Sequence, residues 1–188
     1  MEHRDSNQIL VGKMKQIAKM LSKKYTVKIG LLADKGGSDP VSDNLDLAGL
    51  GAVQEYGAEI PVTDELRNFF RYKFGVNLKK TTTHIKIPAR SWLYEPIKDE
   101  GFKKYIYEYV GDQKLFEEYA DEDMMRKLAD IIGNSGVLQI QKAFDNGGIH
   151  SEWTPNSQIT INSKGSSKPL IADGSLRGRV TFEVEENG

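Results

Sequence analysis

The chain has 188 residues, enough for one domain with a sizeable core, and 38% of them are hydrophobic and 28% charged. Its net charge of -1 does not favour a nucleic-acid or membrane-surface binder, and the lack of cysteine excludes disulfides and thiolate metal sites. No run reaches the ~18 apolar residues of a membrane span. The N-terminal residues, MEHRDSNQ, have no apolar signal core, so we expect a protein kept in a cytoplasm until it joins an assembly.

The first quarter of the chain predicts a helix, a strand, a loop and a second helix. Residues 9–23 have apolar side chains at helical spacing, which predicts an amphipathic helix with one stripe packed in the core or in an interface. The stripe consists of Leu10, Met14, Ile17 and Leu21, with Ala18 beside them. Residues 25–32 predict a strand, and residues 33–44 a mobile loop. Residues 45–56 predict a helix that ends at Gly57 in the left-handed conformation.

A helix–strand insertion is predicted over residues 61–87, laid against the main domain. Thr63 is a candidate cap for its helix, and Gly75 is the candidate stop. One face of this helix carries Leu66, Phe70 and Phe74, with Phe69 adjacent. We interpret this aromatic face as core rather than as a surface on which nucleic-acid bases stack. Residues 79–87 predict the strand of the insertion.

The second half predicts two helical stretches. Pro88 ends the preceding strand, because proline has no N–H for a sheet ladder. Residues 100–120 predict aromatic-rich helix, and residues 121–144 predict the longest helix of the chain. Gly133 and Gly136 are expected to kink this helix or to allow the close approach of a neighbour.

The C-terminal segment, defined as residues 153–176, predicts an extended loop or arm over the domain. Trp153 and Leu170 are its expected apolar anchors. Asp173 and Gly174 predict a turn, after which Leu176 re-enters the core. The alternating residues that follow predict a strand. Together these elements predict an α+β fold, with a small mixed or antiparallel sheet packed by about three helices, in a single domain spanning residues 1–188.

The sequence contains no motif that is typical of catalysis or of cofactor binding. Its histidines (His3, His84 and His150) are scattered, without carboxylates at the spacing of a zinc site. Phosphate-binding, dinucleotide-binding and nucleophile-elbow motifs are absent. A hydrolase acting through Asp173 and His150 is an alternative, but Asp-Gly before a strand is ordinary turn chemistry. We therefore predict no enzymatic activity, no cofactor and no metal.

Charge is distributed unevenly along the chain. Residues 1–24 have an excess of +4, and residues 95–123 carry ten acids against four lysines. These stretches are either solvated helix faces or opposite patches that meet between copies or partners. Lys164 and Lys168 lie in a Ser/Gly loop that could contact phosphates, although a solvated loop is the simpler interpretation.

Three blocks of sequence occur in a specific order and spacing. The first is AVQEYG at residues 52–57, similar to A-x-x-x-E-[FY]-G. The second is IPARSWL at residues 87–93, similar to I-P-A-R-[PS]-[FW]-L. The third is W-x-P-x4-T-x3-K-x4-P-L-x2-D-G-x-L at residues 153–176. On these blocks the chain resembles the phage virion-morphogenesis and tail-component family, small structural proteins of tailed-phage necks and tails. The likeness covers most of the chain from Val27 onward.

The resemblance implies a non-enzymatic α+β subunit that forms a ring, usually described as hexameric, at the head–tail junction or tail end. The implied roles are tail completion, tail termination or neck adaptor, in a virion assembled in the host cytoplasm. The implied partners are copies of itself, the connector and the tail tube, with passing DNA as a candidate contact and no membrane. The matching positions, taken as assembly candidates, are Glu55, Tyr56, Gly57, Pro88, Arg90, Trp92, Trp153, Pro155, Thr160, Lys164, Leu170, Asp173, Gly174 and Leu176.

Two hypotheses about contacts accompany this resemblance. The basic N-terminal helix and the acidic residues 95–123 are expected to supply part of the contact between subunits by electrostatic attraction. The alternative function is a nucleic-acid-binding accessory module that uses Lys79-Lys80 and the Ser/Lys loop.

Overall fold

The computed structural model of the chain describes residues 11, 12, 14, 15, 18, 19, 22–112 and 123–187. Each described residue from 11 to 22 is helical. Met14 is 62% exposed and Ala18 is also exposed, so these two residues are not packed in the core of the chain. The other half of the prediction, packing in an interface, stays a prediction. The periodicity identifies an apolar face but not what covers it. The other stripe residues, Leu10, Ile17 and Leu21, lie outside the described residues.

The fold is α+β, and its sheets are small and antiparallel. The strands are β1 (Lys24–Gly30), β2 (Pro40–Ser42), β3 (Leu45–Asp46), β4 (Ala58–Pro61), β5 (His84–Ile87) and β6 (Thr181–Asn187). The helices are α1 (Leu47–Tyr56), α2 (Asp64–Phe74), α3 (Tyr94–Lys98), α4 (Glu100–Val110), α5 (Met124–Asn146), α6 (Gln158–Lys164) and α7 (Ser175–Gly178), with a short 3-10 helix at Ala33–Lys35. The described strands pair as β1–β6, β2–β3 and β4–β5, so three two-stranded sheets replace the single sheet that was predicted.

The long helix α5 packs directly on the β1–β6 pair, whose register runs from Lys24 opposite Asn187 to Gly30 opposite Thr181. Two glycines make this approach possible. A Cβ at Gly133 would lie 2.1 Å from the ring of Phe182, and one at Gly136 would lie 2.5 Å from Ile29. The predicted close approach at both glycines is confirmed.

Three aromatic rings occupy the centre of the main core. Phe144 on α5 lies between Trp92 and Trp153, with ring centroids 5.7 Å and 5.6 Å away. All three side chains are buried, as are the neighbouring Leu47, Ile140, Leu176 and Val180. The predicted anchor at Trp153 and the return of Leu176 into the core are therefore confirmed.

The insertion, now defined as residues 58–87, has the predicted helix and strand. The hydroxyl of Thr63 accepts the N–H of Leu66, and Gly75 ends α2 in the left-handed conformation. No residue of α2 is buried, however, so the prediction that its aromatic face is core is wrong. Phe69, Phe70 and Phe74 pack edge-to-face on one another instead, and Phe69 is 51% exposed.

Arg67 explains why the strand of the insertion is shorter than predicted. Its guanidinium donates hydrogen bonds to the backbone carbonyls of Leu78, Lys79, Lys80 and Thr82. Residues 78–82 therefore curve around this side chain, and pairing with β4 begins only at His84.

The C-terminal segment is not extended throughout, because residues 158–164 form α6. The hydroxyl of Ser157 accepts the N–H of Thr160, and Gly165 ends the helix in the left-handed conformation. These two caps stabilise a helix that the predicted arm did not include. Leu170 is half-buried against the core, with a positive φ of 59°.

Candidate functional site

Glu55 joins the first sequence block to the second. It lies in the last turn of α1 and is 6% exposed. One carboxylate oxygen accepts from the Ser91 hydroxyl and from the Tyr94 N–H at 3.1 Å. The other oxygen accepts from the N–H groups of Trp92 and Leu93, at 2.7 Å and 2.8 Å. Three successive backbone N–H groups converge on one buried anion, an arrangement that suits a carboxylate.

Trp92 adds a second bond between the same two blocks. Its indole N–H donates to the carbonyl of Gly51, one turn before Glu55, at 2.9 Å. A Cβ at Gly51 would lie 3.0 Å from the Trp92 ring and 2.7 Å from Leu31. The Trp92 ring can pack in the core at this position because Gly51 has no side chain.

Gly57 completes the connection between α1 and β4. Its φ of 74° is positive, but its ψ of 174° is extended because β4 begins at the next residue, so the predicted left-handed conformation is wrong. A Cβ here would lie 2.8 Å from the N of Ala89 and from the carbonyl oxygen of Ile87. Glycine is thus required both by the backbone conformation and by the close approach of the second block.

Arg90 joins the second block to the third and is 6% exposed. Its Nε donates to the carbonyl of Thr154 at 2.8 Å, and a terminal nitrogen donates to the Gln54 side chain at 3.1 Å. The other terminal nitrogen lies 3.4 Å from the Pro155 carbonyl and 3.4 Å from the Asn156 side-chain oxygen. Burial lowers the pKa of Arg90 from its ordinary value. The guanidinium stays charged, and these oxygens solvate it.

The network continues into the loop after α6. The amide of Asn156 donates to the carbonyls of Ser167 and Lys168, both at 3.1 Å. The ammonium of Lys164 donates to the carbonyls of Lys168 and Ile171. Burial, and then the charge of Arg90, lower the pKa of Lys164. The ammonium of Lys164 therefore stabilises the loop that follows α6. The same ammonium was the candidate for a phosphate contact, and it is already hydrogen-bonded to these two carbonyls.

The motif junction, defined as Gln54, Glu55, Arg90, Ser91, Trp92, Asn156 and Lys164, is the site that the fold assembles. Glu55, Arg90, Trp92 and Lys164 were predicted site residues. Gln54, Ser91 and Asn156 were not among the predicted site residues, although each lies inside one of the three blocks or beside a matched position.

Asp173 and Gly174 form a turn, as predicted. The carboxylate of Asp173 accepts the N–H of Ser175 at 2.9 Å and its hydroxyl at 2.7 Å, and these bonds hold the pKa of Asp173 below its ordinary value of 3.8. Gly174 has a φ of 86°, and α7 then carries Leu176 inward. His150 lies 3.4 Å from Asp99, so the two residues of the hydrolase alternative have different partners.

The remaining predicted positions lie at the surface or near it. Tyr56 is 80% exposed and Pro155 is also exposed. Thr160 is exposed and its hydroxyl lies 2.9 Å from that of Ser157, within the cap of α6. Pro88 is half-buried beside the junction.

The polar side chains of the junction hydrogen-bond one another and the surrounding backbone. Within the described residues, every buried side-chain nitrogen and oxygen has a partner, and no group of three or more His, Asp or Glu is placed to hold a metal ion. In that same part of the chain, no helix is long and apolar enough to cross a membrane. The geometry joins three distant segments through these hydrogen bonds.

No family model, curated protein or solved structure matches the chain. The family resemblance thus rests on the three sequence blocks.

Proposed function

We propose that the protein is a structural virion protein of a tailed phage, which joins, completes or terminates the tail at the neck as a ring of copies. The observation that carries the proposal is the convergence of all three resembling blocks on one junction. Glu55 and Arg90 connect the blocks through buried hydrogen bonds. Blocks used in this way specify the shape of a subunit rather than a reaction.

Exposed apolar side chains also support an assembly role. Most of the exposed aromatic side chains among the described residues are tyrosines, and tyrosine is favoured in protein interfaces. The exposed tyrosines are Tyr56, Tyr72, Tyr94, Tyr105 and Tyr107. A ring needs two different complementary patches on each subunit, and these side chains provide candidate contact area.

The test is the assembly state of the purified protein, measured by native mass spectrometry and negative-stain electron microscopy over a range of salt concentrations. The same measurements are repeated with tail tubes and connectors of the phage that encodes the chain. We expect a closed ring, or a monomer that assembles only on a tail tube or connector. A protein that stays monomeric in all these conditions and binds neither structure would overturn the proposal.

The electrostatic hypothesis is tested in the same experiment. Within the acidic stretch at residues 95–123, the described part at residues 95–112 carries five acids and three lysines. Lys103 pairs with Glu100, and Lys104 pairs with Glu108. The rest of the acidic excess lies mostly outside the described residues. If opposite charges contribute to subunit contact, high salt should promote dissociation of the ring; a ring indifferent to salt would argue against it.

A second candidate is a nucleic-acid-binding accessory module. The observation that favours it is the ordering of the Lys79-Lys80 loop by Arg67, which leaves both lysines exposed. A gel-shift series over salt tests it, since phosphate contacts predict steep salt dependence. The variant Lys79→Gln/Lys80→Gln should then weaken binding. Binding that is absent at low salt would exclude this candidate.

A further inference from the structure

Two groups of exposed apolar side chains lie on different parts of the subunit. The insertion exposes Ile60 (40%), Phe69 (51%) and Tyr72 (82%). Helices α4 and α5 expose Tyr105 (53%) and Leu138 (65%). Water contacts both groups in the single chain, so each is a candidate for burial against a partner.

The second group borders a groove of about 440 Å³ between α4 and α5. Its apolar lining comes from Phe102, Tyr105 and Leu138, and its charged lining from Asp99 and Lys142. A concavity of this size, with apolar walls and a few polar groups, suits the insertion of an aromatic side chain.

The segments that contribute the two surfaces have opposite net charge, although the groove lining itself holds one acid and one base, Asp99 and Lys142. The insertion, residues 58–87, has six lysines and arginines against three acids. Residues 94–112, which form one wall of the groove, have five acids against three lysines. Arg71 precedes Tyr72 on the insertion and is exposed, whereas Lys73 lines the cleft between α2 and α6. Complementary charge of this kind favours encounter and fixes orientation more than it adds affinity.

We propose that the exposed face of the insertion, with Phe69 and Tyr72, docks into the α4–α5 groove of a second copy of this chain. The inference rests on the ring assembly proposed above and names its interface. Within one chain the other side of α2 faces α6, where Phe74 and Val76 lie near Ile159. The surface that carries Tyr72 is exposed and is therefore available for contact with a neighbouring copy.

This contact is heterologous, because each copy uses its insertion on one side and its groove on the other. Such a contact closes into a ring when the rotation between copies allows it. The insertion is a better partner for the groove than the N-terminal helix is, because it supplies aromatic anchors. The exposed apolar side chains described on the N-terminal helix are Val11 and Met14.

Two variants interrupt opposite halves of the proposed contact. Tyr72→Ser removes the anchor of the insertion, and Leu138→Arg places a charge in the groove. Both residues are largely exposed, so unfolding midpoints near wild type are expected and are checked first. Each variant alone should raise the subunit dissociation constant by about 30-fold or more, as expected for the loss of an interface hot spot.

The matched control is Tyr107→Ser. Tyr107 is 74% exposed on α4, but it lies on the side opposite Phe102 and Tyr105 and does not line the groove. It should assemble like wild type. A second control, Val41→Ser, removes an exposed apolar side chain outside both surfaces.

Mixing the two variants gives the decisive result. The Leu138→Arg copy keeps its insertion and the Tyr72→Ser copy keeps its groove, so the mixture should form a one-to-one dimer that neither variant forms alone. Native mass spectrometry with one isotope-labelled variant measures this. If wild type forms rings that both variants leave intact, or the mixture stays monomeric, the docking proposal is wrong and the ring proposal stands. A wild type that forms no ring, either alone or on a tail tube or connector, overturns both.

Discussion

The carboxylate of Glu55 accepts the backbone N–H of Trp92 at 2.7 Å, across 37 residues of sequence. Ser91, Leu93 and Tyr94 donate to the same carboxylate. One buried anion thereby fixes the start of the α3 region against the end of α1. Its replacement should affect folding more than any surface carboxylate does.

Glu55→Gln should lower the free energy of unfolding by about 3 kcal/mol, because a glutamine keeps one acceptor oxygen and turns its amide toward buried N–H donors. Urea denaturation measures the loss. Glu59→Gln on the exposed β4 is the matched control and should stay within about 0.5 kcal/mol of wild type. Equal stabilities of the two variants would show that the Glu55 hydrogen bonds are not important for folding.

Arg90→Lys should loosen the C-terminal segment while leaving a positive charge in place. Lysine cannot reproduce the fork that contacts Thr154, Gln54 and Asn156. We expect faster hydrogen exchange over residues 153–171, measured by mass spectrometry. Arg126→Lys, at a half-exposed position on α5, is the control. Unchanged exchange in the Arg90 variant would contradict the role of its guanidinium.

Trp153→Ala should cost about 3–5 kcal/mol of folding stability, as expected when a buried aromatic side chain leaves a cavity. Trp153 is 9% exposed, and its ring meets that of Phe144 edge-to-face. Thermal and urea unfolding measure the change, with the exposed Tyr72→Ala as control. Melting close to wild type would mean that Trp153 serves a partner surface instead of the core.

The parts of the fold that were predictable depend on short-range chemistry. The Thr63 cap and the stop at Gly75 follow from the local conformational preferences of their residue types. Gly133 and Gly136 were recognisable because a glycine inside a helix pattern indicates a bend or a close neighbour.

The parts that were not predictable depend on long-range packing. Periodicity showed that Phe70 and Phe74 share a face, but it could not show that the face packs on itself and stays half-exposed. The junction was hidden for another reason. Glu55 binds mainly backbone N–H groups, and two of the four oxygens that Arg90 contacts are backbone carbonyls. These groups carry no residue identity that a sequence pattern could reveal.

Gly133→Ala should destabilise the protein by about 1–3 kcal/mol, because the new Cβ would overlap the ring of Phe182 and force the helix from the sheet. Urea unfolding measures the loss. The control is Gly12→Ala, since Gly12 is helical and, apart from its chain neighbours and its own helix backbone, no atom lies within 4 Å of the added Cβ. This variant should be neutral or gain up to about 1 kcal/mol. Equal effects at the two glycines would contradict the close contact between α5 and β6.

Asp173 should make the stability of the protein acid-sensitive. Its folded pKa lies below 3.8, first because of the Ser175 hydroxyl and then because of the Ser175 N–H. A depressed pKa means that the ionised group contributes stability above pH 3.8, and that this contribution is lost as the pH falls through the folded value. Urea unfolding of wild type and Asp173→Asn, from about pH 2 to about pH 6, should give curves that lie close together in acid and separate as the pH rises. Ser175→Ala keeps the N–H donor and should fall between them. Parallel curves over this range would show that the turn does not depend on the charge of Asp173.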